Sequence, residues 1–322
     1  MKRRLSLVFL TLTASFAVAA ADVDSRDPGK LKLASVNAVV VDASEHRSVY
    51  TKGADDVTPI ASLTKLMTAI VTLDAKLPMD ESIAIDTDDF DYLKGTKSRL
   101  RIGATLPRRE MLRLALMSSE NRAASALART YPGGTEAFVV AMNEKARALG
   151  MTRTSYADPT GLSPRNVSTA NDLATLVAAA AEYSEIRDFT TTPSHYVEVQ
   201  PTGQVLGFNN TNHLVSNSSW KIQLSKTGYI REAGKCLVML ATIASKPFVI
   251  VLLDSAGKYT RQGDAQRVRE WLETGRSSAA PVSATRSAPK AAKLKTVGYS
   301  APRHAKRVPN AKPISQAKAV GA

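Results

Sequence analysis

The spacing of hydrophobic positions divides the chain into stretches of two kinds. Residues 38–41 form a β-branched apolar run, a polar turn fills 42–46 and residues 48–50 resume, which predicts an opening β-hairpin. From Ser62 the period becomes helical, with Leu63, Leu66, Met67, Ile70 and Leu73 three and four apart on one stripe. Short helices are predicted over 108–117 and 121–130, separated by Ser118-Ser119-Glu120. Thr135 can cap a further helix in which Phe138, Met142 and Leu149 share a face and Gly150 is the stop. After the turn Asp158-Pro159-Thr160-Gly161, Ser168 or Thr169 caps a helix carrying Leu173, Leu176 and Tyr183. Alternation returns at 196–199. The β-rich runs 235–243 and 248–253, joined by Ala244-Ser245-Lys246-Pro247, predict a second hairpin. A last helix over 262–273 ends at Gly275. Strands, helices, strands and a helix in that order predict an α+β fold, an antiparallel sheet split around a helical insertion.

The two ends depart from this pattern. Lys2, Arg3 and Arg4 precede an apolar stretch over 5–16 and small residues at Ala17-Val18-Ala19 and Ala19-Ala20-Ala21. That is the layout of a secretory signal, residues 1–21, cleaved near Ala19 or Ala21, and it places the mature protein in the periplasm. The apolar stretch is shorter than the roughly 20 residues a membrane-spanning helix needs. Residues 276–322 hold ten Lys or Arg, no Asp or Glu and one aromatic, Tyr299, among Ala, Pro and Ser. Such a composition predicts a disordered basic tail. It also locates the net charge of +14: ten charges lie in the tail and three in the signal, leaving residues 22–275 at +1. A body so nearly neutral argues against nucleic acid as a partner. The tail lacks the apolar bulk of a firm membrane anchor, but suits contact with an anionic wall or lipid surface. Cys236 is the only cysteine, so no disulfide forms within the chain; its apolar neighbours mark it as a buried small hydrophobe.

Candidate chemistry rests on three short motifs. Ser62-Leu63-Thr64-Lys65 opens the first helix, Ser119-Glu120-Asn121 fills the break between two others, and Lys226-Thr227-Gly228 lies in a strand-like segment after Trp220. A serine hydroxyl is a weak nucleophile without a base in hydrogen-bond reach. Positions i and i+3 on a helix are neighbours, so the Lys65 amine can lie beside Ser62. An amine at its ordinary value of about 10.4 stays protonated; burial and a second cation lower that value, and Lys226 can supply the cation. Each motif alone is common. All three in this order, at these structural positions, form the signature of penicillin-binding proteins and serine β-lactamases.

From about residue 35 to residue 275 the chain resembles the low-molecular-mass penicillin-binding proteins, the D-alanyl-D-alanine carboxypeptidase and endopeptidase family. Within it the likeness is to the endopeptidase branch (penicillin-binding protein 7 type). Besides the three motifs, it is carried by Pro59-Ile60-Ala61, Leu114-Ala115-Leu116-Met117-Ser118, Pro159-Thr160-Gly161-Leu162-Ser163 and Asn210-Thr211-Asn212-His213-Leu214. Carboxypeptidase members usually carry Gly where this chain has Glu120; Glu120 followed by Arg122 is the endopeptidase pattern. The resemblance implies a serine β-lactamase/transpeptidase-like fold and a D,D-peptidase that cleaves D-alanyl bonds in peptidoglycan stem peptides and cross-links and is acylated by β-lactam antibiotics. It implies that Ser62 is the nucleophile, Lys65 its base, Ser119 and Asn121 the proton relay and peptide holder, and Lys226 a completing charge. Thr227 would bind the substrate carboxylate, Gly228 would let a substrate strand approach the sheet edge, and the backbone N–H groups of Ser62 and Tyr229 would form the oxyanion hole. No metal or organic cofactor is implied.

His46, His195, His213 and His304 show no zinc spacing, and no G-x-S-x-G elbow accompanies them. Asp86, Asp88, Asp89 and Asp91 lack the Gly and Glu positions of an EF-hand, and a solvated loop is expected there. D-alanyl-D-alanine carboxypeptidase action and β-lactamase action remain as alternatives from the motifs, and a non-catalytic wall-binding protein as the alternative of another class.

Overall fold

A computed structural model describes residues 26–257 and 259–280. The signal and nearly all of the basic tail lie outside the described residues. Among those described, no helix is long and apolar enough to cross a membrane.

The opening hairpin consists of β1 (Asn37–Asp42) and β2 (Arg47–Lys52), followed by the short β3 (Thr58–Pro59) and helix α1 (Lys65–Asp74). β4 (Ser82–Ala84) and β5 (Thr105–Pro107) then frame a long loop. Helices α2 (Arg108–Met117), α3 (Asn121–Arg129) and α4 (Gly134–Ala148), strand β6 (Val167–Ser168), and helices α5 (Ala170–Ala181) and α6 (Ser184–Thr190) complete the insertion. The hairpin β7 (Ser194–Val199) and β8 (Gln204–Asn209) leads to the long strands β9 (Lys221–Ile230), β10 (Gly234–Ile243) and β11 (Lys246–Ser255), and α7 (Thr260–Thr274) closes the fold.

The main sheet has five strands in the order β2-β1-β11-β10-β9, with antiparallel neighbours. β1 pairs directly with β11, so strands from the two ends of the chain meet at the sheet centre and the helices lie between them in sequence. This is the split sheet that the order of elements predicts. Its central strands read as unbroken apolar runs because both faces are covered. Ala38, Val40, Leu237, Met239, Phe248, Ile250 and Leu252 face Val268, Trp271 and Leu272 of α7. Their alternates Val39, Val238, Leu240, Val249, Val251 and Leu253 face the insertion, packing with Leu66, Ile70, Leu173 and Val177.

Several predicted boundaries shift. The helix expected from Ser62 begins with a single 3₁₀ turn, Ala61–Thr64, before α1. The helix expected to run through Tyr183 stops at Ala181, and Tyr183 precedes a separate α6, its hydroxyl held by Asp74 at 2.6 Å. The hairpin partner β8 and the two-residue strands β3 and β6 carry too little alternation to be legible. The acidic run is solvated only in part: Asp86 and Asp88 are exposed, but Asp89 is buried and ion-pairs with Arg129 at 2.9 Å, and the Asp91 carboxylate captures backbone N–H groups of Leu93, Lys94 and Thr96. Past Gly275 the chain stays on the body, where Ser277 Oγ accepts from Lys32 N and donates to the Lys30 carbonyl.

Candidate active site

Ser62 stands on a sharp bend. Ala61 adopts a left-handed φ of 49°, and the 3₁₀ turn that follows puts residues three apart in register along the axis. Lys65 Nζ accordingly lies 3.0 Å from Ser62 Oγ. The same amine donates to Asn121 Oδ1 at 2.7 Å and to the Thr160 carbonyl at 2.6 Å. This geometry has a chemical consequence. A neutral amine has two N–H bonds and one lone pair; the two acceptors take the N–H bonds, and the lone pair is left facing the Ser62 hydroxyl. Lys65 is wholly buried, and that burial brings its pKa down to about 8 against the opposing pull of Asp158, Glu120 and Asp91.

Ser119 terminates α2 in a left-handed conformation, φ 61°, and the Glu120 N–H returns to the Leu114 carbonyl at 3.1 Å. That reversal points Ser119 at β9, where Lys226 Nζ donates to its Oγ at 2.9 Å and to the Thr227 carbonyl at 3.0 Å. Burial, then the neighbouring Lys65 and Arg261 charges, hold the Lys226 amine well below its ordinary value. Two ammonium groups in one dry site repel, so a charged Lys65 favours the neutral form of Lys226. Thr227 Oγ1 bonds Thr211 Oγ1 at 2.6 Å, and the Thr211 N–H bonds the Met117 carbonyl at 3.0 Å, tying β9 back to the end of α2. Gly228 has a steric reason to be glycine: a Cβ there would come within 3.0 Å of the Ile60 carbonyl and 3.1 Å of Ser62 N. The Tyr229 ring is 59% exposed beneath the Lys235 ammonium, while its backbone follows Gly228 past Ser62.

All five residues expected to act chemically are therefore gathered: Ser62, Lys65 and Asn121 in one bonded cluster, Ser119 and Lys226 in the other. The sequence motifs did not reveal what supports them. Asp158 accepts from Thr160 N, Thr160 Oγ1, Gly161 N and Ser163 N at 2.6–2.9 Å, folding the loop that presents the Thr160 carbonyl to Lys65. Gly161, φ +83°, packs so closely that a Cβ would sit 2.0 Å from the Ala61 carbonyl. Asp158-Pro159-Thr160-Gly161 is legible as a turn, but its partner at Ala61 is not. Arg261 in the first turn of α7 donates to the Gly228 carbonyl at 3.0 Å and adds positive charge behind Lys226; a lone arginine carries no signal in sequence. Cys236, its thiol pushed up to about 12 by burial, stays out of the chemistry. His213 lies exposed in the turn after β8, and the hydrogen bonds there are made by Asn210 and Asn212.

The split sheet with its helical insertion is the fold of solved DD-transpeptidases, and a serine one 3₁₀ turn from a buried lysine with a second lysine on the edge strand fits the motif set of penicillin-binding proteins. Residues 23–257 match the D-alanyl-D-alanine carboxypeptidase family of peptidases, and the chain belongs to that family of serine hydrolases. It is 50% identical over 285 residues to a D-alanyl-D-alanine endopeptidase of Pseudomonas aeruginosa, covering 88% of this chain and 92% of that one. An Escherichia coli protein of the same name is 46% identical over 271 residues, covering 84% and 87%. Among solved structures, a Streptomyces DD-transpeptidase superposes with a TM-score of 0.71 at 29% identity, covering 76% of this chain and 98% of that one. A Listeria monocytogenes penicillin-binding protein in its ampicillin-bound form gives 0.65 at 28% identity, covering 76% and 98%.

Proposed function

We propose that this protein is a periplasmic D,D-endopeptidase that cuts D-alanyl cross-links in peptidoglycan through an acyl-enzyme on Ser62. The observation that carries the reading is the Lys65 amine, both of whose N–H bonds are spoken for while its remaining position faces Ser62 Oγ at 3.0 Å. Ser62 Oγ attacks the D-alanyl carbonyl as its proton passes to Lys65. The oxyanion is received by the backbone N–H groups of Ser62 and Tyr229. Ser119, held by Lys226, passes its proton to the leaving amine and takes in its place the proton that Lys65 received, so that Lys65 is neutral again as the C–N bond breaks to give the ester. Water, deprotonated by Lys65, then releases the acid and restores Ser62. Asn121 holds the peptide, Thr227 binds the substrate carboxylate, and Gly228 leaves room for the substrate strand. Penicillins enter the same first step and remain as the ester.

The endopeptidase preference is supported by Glu120 and Arg122 in the second motif and by the names of the relatives from Pseudomonas aeruginosa and Escherichia coli. The proposal divides the chain into a cleaved signal (1–21), the peptidase domain (22–275) and a basic tail (276–322) that touches anionic wall polymer. Cross-linked muropeptide dimers incubated with the purified protein and analysed by mass should yield monomers. Loss of a single alanine would make it a carboxypeptidase instead. Unchanged dimers with no penicillin adduct, and no effect of Ser62→Ala, would leave only the wall-binding alternative.

A further inference from the structure

The loop framed by β4 and β5 runs along one end of the cleft. Its shape is set locally: one carboxylate, Asp91, accepts from Leu93 N at 2.9 Å, Lys94 N at 2.8 Å and Thr96 N at 2.8 Å. Three successive residues of the second motif then grip it. The buried Glu120 carboxylate faces the Ser98 hydroxyl, and burial raises its pKa. Asn121 Nδ2 donates to Thr96 Oγ1 at 2.9 Å. Arg122 Nη1 donates to the Leu100 carbonyl at 2.6 Å, and its guanidinium lies 4.1 Å from the centre of the Phe90 ring. On the other side Lys94 pairs with Glu232, in the turn between β9 and β10, at 2.7 Å. The loop thus reaches from the Ser119 wall to the hairpin that carries Lys226.

Near its start it presents apolar side chains. Tyr92 is 81% exposed and Leu93 67%, with the Phe90 and Tyr92 rings 5.9 Å apart. Beside them is a cavity of about 160 Å³ lined by Phe90, Tyr92, Leu93 and Leu162 and by four aspartates, Asp91 and Asp158 among them, and continuous with Asn121 and Thr160. Those last two are the groups that accept from Lys65. A ligand in this cavity therefore abuts the reaction centre. A penicillin spans little beyond Ser62, whereas a cross-linked peptide brings a second chain that must leave the cleft at one end. We infer that residues 90–100 are a specificity element for the second stem peptide of a cross-linked substrate, seating it against Phe90, Tyr92 and Leu93 while Glu120, Asn121 and Arg122 clamp the loop to the reaction centre. Burial of these rings and of Leu93 by peptide is the source of affinity, and the clamp fixes its position without a closing movement.

The inference rests on the endopeptidase reading, and the test separates the two. Full-length wild type and a Tyr92→Ser/Leu93→Ser variant are compared by kcat/KM on a muropeptide dimer and by the second-order rate of acylation with labelled penicillin. The amplitude of labelling counts the active fraction, and with kcat/KM expressed per labelled site the ratio of the two constants holds even for a variant that folds poorly. The ratio should fall roughly tenfold, the scale of losing a few apolar contacts, through KM rather than kcat. A ratio within about twofold of wild type, with dimers still cut, overturns the specificity element alone. Wild type that takes penicillin but cuts no dimer overturns the functional reading and this inference with it.

Discussion

At the scale of single residues the chemistry turns on one amine. Below its value of about 8, Lys65 carries a third proton that it donates to Ser62 Oγ; above it, the lone pair is free to accept. Acylation of Ser62 by penicillin is therefore expected to rise with pH, reach half its maximum near pH 8 and level off above, as read by the rate of adduct formation. Lys65→Ala should lower that plateau by about 10²–10⁴, the usual contribution of a general base. Gly161 matters equally without touching substrate. Gly161→Ala would push a methyl to 2.0 Å from the Ala61 carbonyl, and relief must move either the bend that carries Ser62 or the loop that presents the Thr160 carbonyl to Lys65. A displacement of about 1 Å there should slow acylation about 10²-fold, measured under the same conditions.

The elements explain why some of this could be read in advance. The Ser62 and Lys65 pairing survives the exchange of a helix start for a 3₁₀ turn, because in either geometry positions three apart face the same way. Ser119 was legible as a break between helices, and the backbone reversal at φ 61° is what the break accomplishes. By contrast, α6 is held by contacts distant in sequence with α2 and β9, and β8, though it pairs with the adjacent β7, is too short and irregular in pattern to declare itself. Supports such as Thr160, Gly161 and Arg261 act through a carbonyl, a missing Cβ or a single charge, none of which has a periodicity. The Asp158 loop permits a direct test. Its carboxylate both folds the loop and favours the charged form of Lys65. Removing that charge in Asp158→Asn should shift the half-maximum of the acylation profile to lower pH. A purely structural role would lower the rate at every pH and leave the half-maximum in place.

Over the whole molecule, function depends on closing a sheet from opposite ends of the chain. β1 meets β11, and α7 seals that junction with Trp271, fully buried, edge-on to Tyr50 at 6.2 Å and donating to the Asp27 carbonyl at 3.1 Å. Trp271→Ala should lower the unfolding free energy by about 3–5 kcal/mol in a denaturant titration, since it opens a cavity where both ends of the chain meet. The charge of the protein is arranged on the same scale, with a body near neutrality and a basic C-terminal segment. Ending the chain after Ala280, beyond the contacts of Ser277, should abolish salt-sensitive binding to isolated walls while leaving dimer cleavage in place. Loss of both together would assign the segment to the peptidase itself.

The central claim, that Ser62 is the nucleophile, is tested most directly by locating the penicillin adduct. Protein incubated with penicillin is digested and its peptides are mapped by mass. A single adduct on the peptide bearing Ser62, absent from Ser62→Ala, is the expected result. An adduct on Ser119 or elsewhere, or undiminished labelling of Ser62→Ala, would contradict the account.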